Sequence, residues 1–175
     1  MIVLLIFTLR IISPSSSERT NAKILYNTSG LFGHLKVMDV YSGNESENII
    51  YRGLFLNGIK QTNTEVGNEP FSLWDYPHKI SALSSIMPPG SQALLLGMGG
   101  GSIAFELTGI GFNLDIVELD ERIPRIARKY FNYDPRKSNL IIDDARHYIR
   151  KSDKKYDLVI FDIVKGEAQP SYIFT

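Results

Sequence analysis

The sequence predicts an α/β chain in which a small N-terminal antiparallel β unit precedes a Rossmann-like parallel sheet. Three observations carry that expectation. Continuous apolar runs at Ala93-Leu94-Leu95-Leu96, Leu140-Ile141-Ile142 and Leu158-Val159-Ile160-Phe161 alternate with helical patterns, as strands covered on both faces of a parallel sheet do. A glycine cluster, Gly97-Met98-Gly99-Gly100-Gly101-Ser102, follows the first run directly. Upstream, residues 21–66 alternate in period two between turn signals.

Taken in order, Met1 to Ile12 is nearly all apolar, interrupted at Arg10. It is shorter than the roughly 20 residues a spanning helix needs and lacks the basic start and cleavage site of a signal peptide. Two readings stand: the stub of a membrane segment, or an N-terminal strand or helix. Ser13-Pro14-Ser15-Ser16-Ser17 is linker chemistry, so residues 1–20 form an apolar segment with its linker. In the β unit, residues 21–70, Leu35, Val37 and Asp39 alternate against Lys36, Met38 and Val40. Ser42-Gly43-Asn44 marks a turn, Ile49 to Leu56 a returning strand, and Asn57-Gly58 a tight hairpin into a third strand, Ile59 to Thr64. The remaining residues, 71–175, form the Rossmann-like part. A helix over 77–87 puts Ile80, Leu83 and Met87 on one face and ends at Pro88-Pro89-Gly90. Leu114-Asp115-Ile116-Val117 is the second parallel strand, and the helix after it shows Ile123, Ile126, Ala127 and Tyr130 on one face. A short helix covers Ala145 to Arg150. The chain stops soon after the fourth parallel strand, so the sheet is expected to be truncated at the C-terminus. Its fourth strand would then be an open edge and the product marginally stable or aggregation-prone.

Composition narrows the function classes. Nineteen basic residues balance nineteen acidic ones, which gives no net field toward nucleic acid or anionic membrane. The basic run Arg122, Arg125, Arg128, Lys129, Arg136 and Lys137 reads as a solvated helix face. The chain has no cysteine, and its three histidines, His34, His78 and His147, have no paired spacing. Neither a disulfide framework nor a metal site is expected.

The glycine cluster sits between a strand and a helix, where Gly97, Gly99 and Gly101 let the backbone turn sharply and approach a ligand. Helix amides beyond it suit an anion or carboxylate. Glu118, at the end of the second strand, lies where an acidic side chain accepts ribose hydroxyls. Asp143 and Asp144 follow the third strand, where a carboxylate can accept from an adenine amino group or cap the next helix. Asp162 ends the fourth strand and faces the same crevice, either as a general base at the reactive end of a ligand or as a structural strand end. A nicotinamide enzyme would place Gly or Ala where Ser102 stands. An S-adenosylmethionine methyltransferase and a non-catalytic nucleoside-binding module both stay open.

These residues resemble the spermidine/spermine synthases, the polyamine aminopropyltransferases, from about residue 25 onward. Ser29-Gly30-Leu31-Phe32-Gly33-His34-Leu35-Lys36-Val37 is similar to the family's "S-x-Y-G-x-I-x-V" opening strand, and Arg52 to Gln61 to its "R-x-L-x-L-D-G-x-x-Q" strand pair. Leu96 to Gly101 stands at its "GGGDGG" loop, Val117-Glu118-Leu119-Asp120 at "VEID", Asp144-Ala145 at "DA", and Tyr156 to Asp162 at "YDVIIxD". The branch often fused to membrane segments is the nearest in character, through the neutral loop and Ala127-Arg128-Lys129-Tyr130-Phe131.

The resemblance implies an S-adenosylmethionine methyltransferase-type fold and transfer of an aminopropyl group from decarboxylated S-adenosylmethionine to an amine. It implies Gln61 and Tyr76 at the aminopropyl chain, Glu118 on the ribose, Asp144 on the adenine, and Asp162 orienting and deprotonating the amine. Expected partners are a small-molecule amine acceptor and a second copy in a homodimer, with no nucleic acid. The expected location is cytoplasmic, and a membrane tether through the N-terminus goes with the first of the two readings of Met1 to Ile12. Three departures stand out: Gly100 replaces the loop aspartate, Tyr76-Pro77-His78 replaces a "Y-H-E"-like triplet, and Lys165 stands where a second aspartate is common. The last changes local charge by about two units at neutral pH.

Overall fold

Two sheets built from opposite strand chemistries make up the structure, a computed structural model that describes residues 3–6, 20–42 and 49–163. The first is antiparallel, in the order β2 (Thr20–Gly30), β3 (Gly33–Ser42), β4 (Ile49–Leu56), β5 (Ile59–Thr64). Alternation sets its faces: Leu35, Val37, Asp39 and Leu54 are buried, while Lys36 and Met38 are half-buried. Asn57 and Gly58 both have positive φ, +50° and +84°, the geometry an Asn-Gly hairpin requires.

The second sheet is parallel, in the order β1 (Val3–Ile6), β9 (Leu158–Phe161), β6 (Gln92–Leu96), β7 (Asn113–Glu118), β8 (Asn139–Ile142). Its period-2 pattern supports two cores. Ala93, Leu95, Leu114, Ile116, Leu158 and Ile160 face α1 (Asp75–Ser84), α2 (Ser102–Gly109), α3 (Arg122–Tyr130) and the buried residues of β3 and β4. Leu94, Leu96 and Val117 face the other way, toward Ala145 and Tyr148 of α4 (Ala145–Lys151). Among β6 to β9 the order runs outward from β6 through β7 to β8 on one side and to β9 on the other. The strand order therefore reverses between β6 and β9, and ligands bind at such a reversal, beyond the carboxyl ends of the strands.

Several expectations change. The residues 29–37, read as one opening strand, instead hold the end of β2, a turn at Leu31-Phe32 and the start of β3. β2 itself escapes the sequence pattern, because most of its residues are exposed. The α1 helix begins two residues earlier than expected and ends at Ser84, and its buried face is Pro77, Ile80, Ser81 and Ser84. Leu83 points outward, 55% exposed. The fourth parallel strand is not an edge, because Val3 to Ile6 pair in register with Leu158 to Phe161. Arg122 is not a solvated face residue, since its guanidinium is largely buried against Asp120. The turn expected at Gly43-Asn44, the linker at 13–17 and Lys165 lie outside the described residues. Among the described residues, no helix is long and apolar enough to cross a membrane.

Polar ties from Arg52, Tyr130 and Gly100 help hold the β unit on the parallel sheet. Arg52 donates to both oxygens of buried Asp39 at 2.7 and 2.9 Å, to Glu69 at 2.9 Å and to the Tyr130 carbonyl at 3.2 Å. The Tyr130 hydroxyl donates to the Leu25 carbonyl at 3.2 Å. The Gly100 amide donates to the Thr62 hydroxyl at 2.7 Å.

Candidate active site

The site forms where β6 and β9 end. Gly97 leaves β6 with φ +88°, and a Cβ there would sit 2.5 Å from the Asp162 carbonyl oxygen. Only glycine lets the two chain exits lie this close. Gly99 and Gly101 also have positive φ, and Gly101 opens α2. At Gly100 the restriction is different: a Cβ would lie 2.5 Å from Cγ2 of Thr62. The Thr62 side chain therefore occupies the space into which a loop side chain would project, and its hydroxyl holds the loop amide. Thr62 gives no sign of this in the sequence.

Glu118 ends β7 and folds back on the loop. One carboxylate oxygen accepts from the Met98 amide at 3.0 Å and the other from the Asp120 amide at 3.0 Å. Burial raises its pKa, partly offset by those amides. Each carboxylate oxygen has a second lone pair, so both backbone bonds leave acceptor capacity toward the cleft.

Beyond β9, the Tyr76 hydroxyl donates to Asp162 at 3.4 Å. Burial pushes the Asp162 carboxyl up to about 7; the Tyr76 hydrogen bond opposes this, and the charge of Glu118 adds to it. The Tyr76 hydroxyl is pushed well above its ordinary value by burial and by the Asp162 charge. At neutral pH, Asp162 can both accept and release a proton.

Two spaces, which share Gln61, Met98, Gly99 and Asp162 as lining, adjoin this pair. The larger, about 430 Å³, is lined by Gly97, Gly99, Gln61, Glu118, Asp143, Asp144 and Asp162, with apolar walls from Leu31, Phe32, Leu119 and Ile163. A nucleoside fits such a volume. The smaller has room for about one water and is lined by Gln61, Thr62, Ser72, Trp74, Tyr76, Ser102 and Asp162. Gln61 spans both, its amide donating to the Ile59 carbonyl at 3.3 Å. The expected residues therefore converge, apart from Tyr76, which lines only the smaller space, and Gly101, which lies outside both, behind the loop. Thr62, Ser72 and Trp74 are additions that no motif marked, and Ser102, the last residue of the glycine cluster, joins them.

The two aspartates after β8 divide their work. Asp144 caps α4, accepting from the His147 amide at 2.9 Å. Asp143 accepts from the Asp144 amide and pairs with the His147 ring at 2.8 Å, which lowers its pKa. His147 is a half-exposed surface partner of Asp143 on α4. At the expected "Y-H-E" position, His78 faces away from the cleft. Its ring nitrogens meet Glu106 at 2.7 Å and the Ser72 carbonyl at 2.8 Å, and it stacks on Phe71. No group of three or more metal-ligating side chains occurs among the described residues.

A family model described as the spermine/spermidine synthase domain matches residues 79–175, more than half of the chain. The chain belongs to the spermine/spermidine synthase family. A polyamine aminopropyltransferase of Vibrio vulnificus is 31% identical over 108 residues, which cover 57% of this chain and 36% of that protein. An N-terminal histidine N-methyltransferase of Emericella nidulans is 35% identical over 91 residues, covering 49% of this chain and 16% of that protein. The chain thus spans little more than a third of the first relative and under a fifth of the second. A crystal structure of spermidine synthase in complex with the transition state analogue AdoDATO superposes with a TM-score of 0.62 at 19% identity. It covers 81% of this chain and 46% of that one, which establishes the shared fold. For this spermine/spermidine synthase member, 81% coverage exceeds what residues 71–175 alone could supply.

Proposed function

We propose that the chain is a spermidine synthase-like aminopropyltransferase, which moves an aminopropyl group from decarboxylated S-adenosylmethionine to a small amine. The observation that carries this reading is the Tyr76–Asp162 pair, held beside the glycine turn at the sheet's reversal point, where burial pushes the carboxyl up to about 7. An amine must lose a proton to attack carbon, and a carboxyl tuned to working pH is suited to take it. The residues fit an adenosyl co-substrate: the Gly97 turn admits close approach, Glu118 offers lone pairs to ribose hydroxyls, and Asp143, Asp144 and Leu119 line the far end.

The sulfonium supplies a carbon activated for displacement. Gln61 and Tyr76 hold the aminopropyl end against Asp162. Asp162 accepts the amine proton as the nitrogen lone pair forms the new C–N bond and the C–S pair returns to sulfur. Membership in the spermine/spermidine synthase family supports the reaction class.

A second reading uses the same pocket for methyl transfer from S-adenosylmethionine, and the uncharged Gly100–Thr62 contact favours it. Calorimetry of the chain with decarboxylated S-adenosylmethionine, S-adenosylmethionine and methylthioadenosine separates the two. Tighter binding of the decarboxylated compound, with aminopropyl transfer to an amine, is the expected result. Preference for S-adenosylmethionine favours methyl transfer, and binding of none of the three refutes the adenosyl assignment.

A further inference from the structure

The turn between β2 and β3 is built against the grain of its chemistry. Leu31 is 93% exposed and Phe32 40% exposed, yet both line the larger space opposite Leu119 and Asp120. Exposed apolar side chains at a hairpin tip cost solvation unless something covers them. The tip is also fixed in place from across the cleft. Arg122 grips Asp120 in a bidentate pair, through Nε at 2.9 Å and Nη2 at 2.6 Å, and the same Nη2 donates to the Gly33 carbonyl at 3.1 Å. The guanidinium lies flat on Gly30, where a Cβ would be 2.5 Å from Nη1. Pinned by Asp120, it could not move aside for one. Nη1 is buried and makes no hydrogen bond to any described residue, so the fork is held by its contacts to Asp120 and the Gly33 carbonyl.

We propose that Leu31 and Phe32 form an apolar cap that closes on the nucleoside face of an adenosyl ligand, and that Arg122 is the positioning residue that latches this cap over the cleft. The proposal rests on the adenosyl reading above. Asp120 thereby couples ligand and cap: it follows Glu118 by two residues, and its amide is bound by the Glu118 carboxylate. Ordering Glu118 on a ribose also orders the anchor of the latch.

The test uses methylthioadenosine and the whole chain. Leu31→Ser with Phe32→Ser, both at exposed positions, should leave the ligand-free melting temperature unchanged and weaken binding about tenfold. Arg122→Lys keeps the charge beside Asp120 but loses the fork. It should weaken binding severalfold and raise hydrogen exchange at the amides of residues 29–34, with exchange in β6 and β7 unchanged. Equal affinity for the native chain and the tip variant, with the native chain binding, overturns the cap alone. Tip variants that lose affinity while Arg122→Lys changes neither affinity nor exchange overturn the latch. A native chain that does not bind methylthioadenosine overturns the adenosyl reading and the cap with it.

Discussion

Asp162 is held in two chemical states at neutral pH, and both stability and rate follow from that. Burial keeps a proton on the folded carboxyl up to about pH 7, whereas the unfolded chain releases it near the ordinary value of 3.8. The native state therefore binds more protons in that window. Its stability contribution is fully present below about pH 4 and is lost as pH rises through about 7. Asp162→Asn should melt higher than the native chain at pH 8 and no higher at pH 4, as read by calorimetric scans. Only the ionised carboxyl takes a proton, so the transfer rate should rise with pH to a plateau above about 7. The asparagine variant should lose about 10²–10⁴-fold in rate while still binding methylthioadenosine. Gly97 is constrained by geometry instead. Alanine there combines a left-handed backbone with a Cβ 2.5 Å from a carbonyl oxygen, which should cost about 2 kcal/mol or more, measurable by urea unfolding, and weaken nucleoside binding.

Between elements, the Arg52 clamp joins β3, β4, the Glu69 loop and the end of α3. Arg52→Ala strands the buried Asp39 carboxylate and should destabilise the chain by about 3–5 kcal/mol in denaturant titration. Lysine should restore little, since it cannot make the paired contact. The elements themselves were legible wherever burial wrote a period into the sequence. The alternation of Leu35, Val37 and Asp39, the Asn57-Gly58 hairpin and the apolar runs of β6 and β9 all appear as expected. β2 was illegible because it is mostly exposed, and strand pairing alone leaves no apolar signature. The α1 face was misjudged because Ser81 and Ser84, not Leu83, pack inward. In the site, the placement of Gly97, Glu118 and Asp162 was legible because each lies at the carboxyl end of a parallel strand, β6, β7 and β9. Thr62 and the Asp120–Arg122 pair were not, because their roles depend on contacts across the two sheets that no local spacing encodes.

At the scale of the whole molecule, the parallel sheet is closed on the β9 side by the first strand of the chain. Removing residues 1–12 should uncover the β9 ladder, with lower thermal stability and concentration-dependent light scattering as the expected readouts. An unchanged melt and clear solution would show that β1 does not protect that edge. The β1–β9 pairing also has a consequence in time. Val3 pairs with Leu158, so a contact spanning most of this sequence must close before the backbone groups of β1 are paired. Loop closure over that span is slow and opposed by chain entropy. During refolding, amide protection at residues 3–6 should then appear after that of β6 and β7, as read by pulsed hydrogen exchange.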